Sequence, residues 1–194
     1  MAYQLVVIGS SLGGLEAVSR VLAALPAGFS LPIAIAQHRG APPADTDVTP
    51  IWRRHTLLPL CEADDKSPIV AGHIYVAPAD YHLLVESRGL LALSTEGPVQ
   101  WARPSIDVLF ESAAEAYGDG VIGVILTGAS ADGSQGLRAI RARGGCALVQ
   151  EPLTAECDVM PRAALTATAV NHVLGLDELG RVLGALAGPA AVQR

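Results

Sequence analysis

The apolar residues of this chain come in short runs, each closed by small or turn-forming residues. Leu5-Val6-Val7-Ile8 ends in Gly9-Ser10-Ser11-Leu12-Gly13-Gly14. A bounded run of this kind reads as a fully buried strand of a parallel sheet. The next stretch places Leu15, Val18, Leu22 and Leu25 at spacings of three and four, which predicts a helix that Pro26 stops. A second strand follows over 32–37 and ends in Gln37-His38-Arg39-Gly40, with a loop through Pro42, Pro43, Asp45 and Asp47. A helix is expected over 48–57, and 61–68 reads as irregular. Gly72-His73-Ile74-Tyr75-Val76-Ala77-Pro78 predicts a strand. His82 to Glu86 and Leu90 to Ser94 alternate around Ser87-Arg88-Gly89, a hairpin expected at the edge of the sheet. Ser105 then fits the N-cap of a helix whose stripe is Ile106, Leu109, Phe110, Ala113, Ala114 and Tyr117.

The strand over 120–126 ends in Thr127-Gly128-Ala129-Ser130-Ala131-Asp132-Gly133, and a helix with Leu137 and Ile140 inward comes next. A short strand over 146–150, a helix from Pro161, a last strand over 170–174 and a helix over 177–186 complete the pattern. This β-α alternation predicts an α/β fold, a doubly wound and mostly parallel sheet of Rossmann-like form with helices on both faces. The 194 residues suit one domain, expected to span 1–194.

Composition narrows the function. No apolar run is long enough for a membrane span, and no basic segment precedes the first apolar run, so neither insertion nor a signal peptide is expected. A net charge of -6 argues against a nucleic-acid surface. Cys61, Cys146 and Cys157 lack C-x-x-C spacing and fit reduced thiols of a cytoplasmic protein. No metal and no cofactor is expected. The glycine turn has a serine where a dinucleotide fingerprint needs its second glycine, and there is no phosphate-loop lysine.

Three predicted strand ends carry reactive residues: Ser11, His38 and Asp132. In a doubly wound sheet these ends share one edge, where such folds bind ligands. Together they are the set needed for acyl transfer: a nucleophile, a base that takes its proton, and a carboxylate that orients the base. Gly9-Ser10-Ser11-Leu12-Gly13 matches the G-x-S-x-G elbow, although the order Ser, His, Asp differs from that of α/β hydrolases. Backbone N–H groups near Leu12 and Gly13 would face an oxyanion. Ser10 competes with Ser11 for the role, a lone histidine at a strand end also reads as structural, and Asp132 also reads as the cap of the helix after it. A neutral histidine base predicts activity that climbs through roughly pH 6 to 7.

The chain resembles the catalytic domain of the chemotaxis protein-glutamate methylesterase (CheB) family. The resemblance lies in Ile8-Gly9-Ser10-Ser11-Leu12-Gly13-Gly14, Gln37-His38, Gly72-His73-Ile74-Tyr75-Val76-Ala77-Pro78 and Arg103-Pro104-Ser105-Ile106-Asp107-Val108-Leu109-Phe110. It continues in Gly123-Val124-Ile125-Leu126-Thr127-Gly128, Asp132-Gly133 and Met160-Pro161-Arg162. It implies a serine hydrolase that removes methyl esters from receptor glutamates, releases methanol, and deamidates receptor glutamines. Ser11, His38 and Asp132 fall on the family's triad. The resemblance also implies a methylated receptor cytoplasmic domain as partner; Arg103 and Arg39 are candidates to meet its acidic helix, against the competing reading that they are simply solvated.

Departures stand at Ser10, where the family usually has Ala, at Leu12, where it has Thr, and at Ala129-Ser130-Ala131, where it commonly begins with Met. Ala129 therefore bears on the oxyanion site, and a receptor-binding module without catalysis is the alternative reading. A hydrolase for small unrelated esters is a third. The family's receiver domain is not expected here, so a separate regulatory protein would replace it.

Overall fold

The computed structural model describes residues 2–39, 47–87 and 89–188. Seven strands form one parallel sheet in the order β3-β4-β2-β1-β7-β8-β9. They are β1 (Leu5–Ser10), β2 (Ile33–Gln37), β3 (Leu60–Glu62), β4 (Ile74–Val76), β7 (Val121–Ile125), β8 (Cys146–Gln150) and β9 (His172–Leu174). The central strands are buried throughout, as their continuous apolar runs require when both faces are covered. Alternate residues serve opposite faces. Val6, Ile8, Ile33, Ile35, Ile122 and Val124 meet α1 (Gly14–Ala23) and α6 (Leu176–Ala187). Leu5, Val7, Ala34, Ala36, Val121 and Ile125 meet α3 (Ile106–Tyr117), α4 (Ser134–Ala142) and α5 (Val159–Ala167).

Several elements differ from the sequence reading for local reasons. Leu60–Glu62 pairs with β4 as an edge strand within a stretch whose polarity suggested irregular chain. The expected helix over 48–57 is one turn, α2 (Thr49–Trp52), followed by a 3₁₀ turn, Arg53–His55. The hairpin strands β5 (His82–Glu86) and β6 (Leu90–Ser94) pair in the expected register but form a two-stranded sheet of their own, not an extension of the parallel one. They are tied to α3 where Val85 N–H donates to Ser112 Oγ at 3.0 Å. Leu15 turns outward, 40% exposed, while Ala17, Val18, Val21 and Leu22 make the buried stripe of α1. Arg88 of the hairpin turn and the loop prolines Pro42 and Pro43 lie outside the described residues. Among the described residues, no helix is long and apolar enough to cross a membrane.

From β1 the chain goes to β2, then to the edge strand β3 and back to β4 between them, and it crosses to the other side of β1 for β7, β8 and β9. Strand order therefore reverses beside β1. The crevice beyond the carboxyl ends at such a reversal is where doubly wound sheets hold ligands, and Ser11, His38 and Asp132 all follow the ends of β1, β2 and β7.

Candidate active site

Ser10 and Ser11 are separated by the end of β1. Ser10 is the last strand residue, fully buried, and its hydroxyl donates to Gln37 Oε1 at 2.6 Å. Ser11 lies one residue further, half-buried, with its N–H on Thr127 O at 3.0 Å. The chain then turns through Leu12 and Gly13 into α1. Gly13 takes φ +78°, a left-handed conformation that L side chains adopt only with strain, and it is the N-cap residue of α1. Neither Leu12 N–H nor Gly13 N–H is bonded to another described residue, so both are free donors beside Ser11.

Gln37 ends β2 and is 4% exposed. Its Nε2 donates to Ser11 O and to His38 O, both at 2.8 Å. With the Ser10 bond, one side chain ties together the main chain around Ser11 and His38. His38 N–H donates to Ser10 O at 2.9 Å, extending the β1–β2 pairing by one step.

The His38 ring meets Asp132 through Nε2–Oδ2 at 2.7 Å, with side-chain exposures of 12% and 0%. Asp132 does not cap the helix that follows it. The N-cap of α4 is Gly133, and no side-chain cap is made there. The carboxylate instead sits on the N-terminus of α3. Its Oδ1 accepts from Ser105 Oγ at 2.9 Å and Asp107 N–H at 3.0 Å, and its Oδ2 accepts from Ile106 N–H at 2.7 Å. Unpaired N–H groups and the helix dipole favour an anion at that position. Burial pushes the Asp132 carboxyl up, but the bonds from His38 and the Asp107 and Ile106 amides outweigh it, and the net shift is downward. Asp132 is therefore an ionised acceptor, which makes His38 Nε2 the donor and leaves Nδ1 as the nitrogen free to accept a proton.

Asp107 neighbours this carboxylate. Its Oδ1 accepts from Gly136 N–H and its Oδ2 from Gln100 Nε2, both at 2.7 Å. Burial raises its carboxyl to about 6, against the bond from Gly136, and the nearby Asp132 charge adds to the rise.

Ser11 and His38 open on one cleft of about 660 Å³, lined also by Leu12, Gly13, Arg39 and Glu156. Gly128 packs beneath it, where a Cβ would come within 2.8 Å of Ser11 Cβ and 2.7 Å of Met160 Cε. On the far side, Thr127 Oγ1 donates to Leu12 O at 2.9 Å and accepts from Cys157 N–H at 2.9 Å. Thr127 N–H is in turn held by Gln150 Oε1 at 2.9 Å.

The structure brings Ser11, His38, Asp132, Leu12 and Gly13 together and leaves two other sequence candidates apart. Arg103 does not line the cleft; its guanidinium is bonded to Asp80, Thr95 O and Glu96 O. Ala129 is exposed one residue past Gly128 and is likewise not part of the lining. Arg39 does line the cleft, with its terminal nitrogens on Glu62 and Ala77 O at 3.0 Å. Sequence reading missed the bonds made by Gln37, Ser105 and Thr127, and the place of Glu156 in the cleft lining. The only available signal was their position beside the predicted strand ends, and for Ser105 the N-cap pattern masked its second bond.

Ser11 and His38 line one cleft at the strand-order reversal of a doubly wound parallel sheet, and Asp132 is bonded to His38. The family model described as CheB methylesterase matches residues 6–183. A Leptospira interrogans protein provisionally named a protein-glutamate methylesterase/protein-glutamine glutaminase is 47% identical over 182 residues, covering 94% of each chain. The protein-glutamate methylesterase FrzG of Myxococcus xanthus is 40% identical over 182 residues, 93% of this chain and 54% of FrzG. The crystal structure of the Thermotoga maritima CheB methylesterase catalytic domain superposes with a TM-score of 0.89 at 28% identity, covering 96% of this chain and all of that one. The chain belongs to the CheB methylesterase family.

Proposed function

We propose that this protein is a serine esterase that hydrolyses glutamate γ-methyl esters on the cytoplasmic domains of chemoreceptors, and that it deamidates glutamine side chains there by the same route. Family membership and the names of the relatives support the reaction class. The observation that carries the residue roles is the 2.7 Å His38–Asp132 bond, with His38 and Ser11 lining one cleft.

His38 Nδ1 takes the Ser11 hydroxyl proton as Oγ attacks the ester carbonyl. Asp132 holds the ring through Nε2 and stabilises the imidazolium that forms. Because Ser11 N–H is already bonded to Thr127 O, the donors left for the oxyanion are Leu12 N–H and Gly13 N–H. Collapse breaks the C–OCH₃ bond; His38 returns the proton and methanol leaves. Water, deprotonated by His38, then attacks the acyl-Ser11 carbonyl. That step regenerates Ser11 and leaves a glutamate carboxylate. With glutamine the leaving group is ammonia. Arg103 ties the chain leading into α3 to Asp80 and to Thr95 O and Glu96 O.

The test is methanol release from a methylated receptor cytoplasmic domain by wild type and Ser11→Ala. Release that falls by a factor on the order of 10⁶ in the variant supports both the reaction and its nucleophile. Equal release from both proteins would remove Ser11 from the role. No release from wild type would leave the binding-module reading.

A further inference from the structure

Hydrolysis of a glutamyl ester changes the charge of the group held in the cleft. The ester and the amide are neutral, whereas the product is a carboxylate on the same side chain. An enzyme that recognises the side chain alone would be blocked by its own product. The charge lining this cleft bears directly on that problem.

Glu156 lines the cleft with Ser11, Leu12, Gly13 and His38. Its carboxylate lies over the turn after the serine: a Cβ placed on Gly13 would come within 2.7 Å of Glu156 Oε2. Among the described residues Glu156 forms no ion pair. A second carboxylate of the lining, Glu16, is also unpaired among them. The lining cation, Arg39, is already engaged by Glu62 and Ala77 O. Asp132 is fully buried behind His38. Among the described residues, the uncompensated charge facing a ligand beside Ser11 is therefore negative.

We propose that Glu156 makes the cleft discriminate the neutral glutamyl ester or amide from the free glutamate that hydrolysis leaves. The inference rests on the esterase reading above. Like charges about 4 Å apart and screened as in bulk water shift binding by about fivefold. The neutral substrate escapes that repulsion and the product feels it as soon as it forms, so product leaves and demethylated receptor competes poorly. The same carboxylate opposes the oxyanion that develops beside Leu12 and Gly13. Glu156 thus trades some turnover for selectivity, a combination that a purely structural residue would not produce.

The experiment follows methanol release from a methylated receptor cytoplasmic domain, inhibited by the same domain in its fully demethylated form. In low salt, Glu156→Gln lowers the inhibition constant of the demethylated domain by about fivefold and raises kcat about twofold. The difference from wild type closes in roughly 1 M salt, where the screening length falls to about 3 Å. Glu178→Gln, on the exposed face of α6, removes the same net charge and moves neither value. Turnover with an unchanged inhibition constant in Glu156→Gln overturns the inference while the esterase reading stands. A drop in kcat with no change in inhibition assigns Glu156 to packing and also overturns it. Absence of methanol release from wild type overturns the esterase reading, and the inference falls with it.

Discussion

Two buried glutamines end two strands on opposite sides of β1, and they hold different things. Gln37, at the end of β2, reaches Ser11 and His38 at once: it accepts from Ser10 Oγ and donates to Ser11 O and His38 O. Gln150, at the end of β8, reaches neither. It accepts from Thr127 N–H and donates to Thr154 O, and Thr127 then holds the Leu12 carbonyl and the Cys157 turn. One side relies on a single side chain, the other on a chain of bonds through an intermediary. Damage on the first side should therefore reach the relation between Ser11 and His38 directly. Damage on the second should reach the Leu12 turn, diluted by the links between.

The largest expected effect is on the Gln37 side. Gln37→Leu leaves Ser10 Oγ, Ser11 O and His38 O without their partner in a buried place. Unsatisfied buried groups cost about 1–3 kcal/mol each, and a misplacement of about 1 Å between reacting groups costs about 100-fold in rate. We expect kcat for ester hydrolysis to fall about 100-fold with KM changed less than twofold, read from steady-state methanol release. A change confined to KM would break the contrast, because Gln37 would then act on substrate and not on the two reacting side chains. On the opposite side, Gln150→Leu should cost about 1–3 kcal/mol in denaturant unfolding, since Thr127 N–H loses its partner. Its loss in kcat should stay under about tenfold. A loss equal to that of Gln37→Leu would mean that the Leu12 turn is as critical as the serine–histidine relation.

The smallest effect separates neutral clamps from charged ones. Asp107, raised to about 6, binds a proton more tightly folded than unfolded. Its contribution is therefore greatest at low pH and is lost as pH rises from about 4 through 6. Asp132, whose carboxyl is lowered, has the opposite sign: its stabilisation holds above about pH 4 and is lost as pH falls further. Asp107→Asn should flatten the decline between pH 4 and 6 in denaturant unfolding and leave the loss below pH 4 in place. An unchanged slope would show that Asp107 titrates alike in both states.

Much of this was legible in the sequence because buried parallel strands announce themselves as unbroken apolar runs. Leu5 to Ile8, Ile33 to Ala36 and Val121 to Ile125 could be read that way, and a strand end is where chemistry belongs in such a sheet. Ser11, His38 and Asp132 followed from that rule. Leu60–Glu62 escaped because a three-residue edge strand with one exposed position carries too little pattern. Ser10 competed with the preferred Ser11 because they differ by one position, and only the pairing shows that Ser10 is the last strand residue and fully buried. Asp132 read equally well as a cap for its own helix. Its actual partners belong to the start of α3, far away in the chain, and no local propensity reports such a meeting.

The pairing of β1 with β7 also has a consequence for how the molecule comes into being. Thr127 meets Leu12 across a sequence separation of 115 residues, and Leu5 pairs with Val121 in the same ladder. Closing so long a loop carries an entropic penalty that its contacts recover only late, which slows folding. During synthesis β1 emerges before β7 and must wait for it, with one edge of its backbone unpaired in the interval. Ser11 is made before β7, yet its neighbourhood is completed only when β7 and the residues after it arrive. A nascent chain halted before Val121 would carry Ser11 without the Thr127 and Asp132 side of its surroundings.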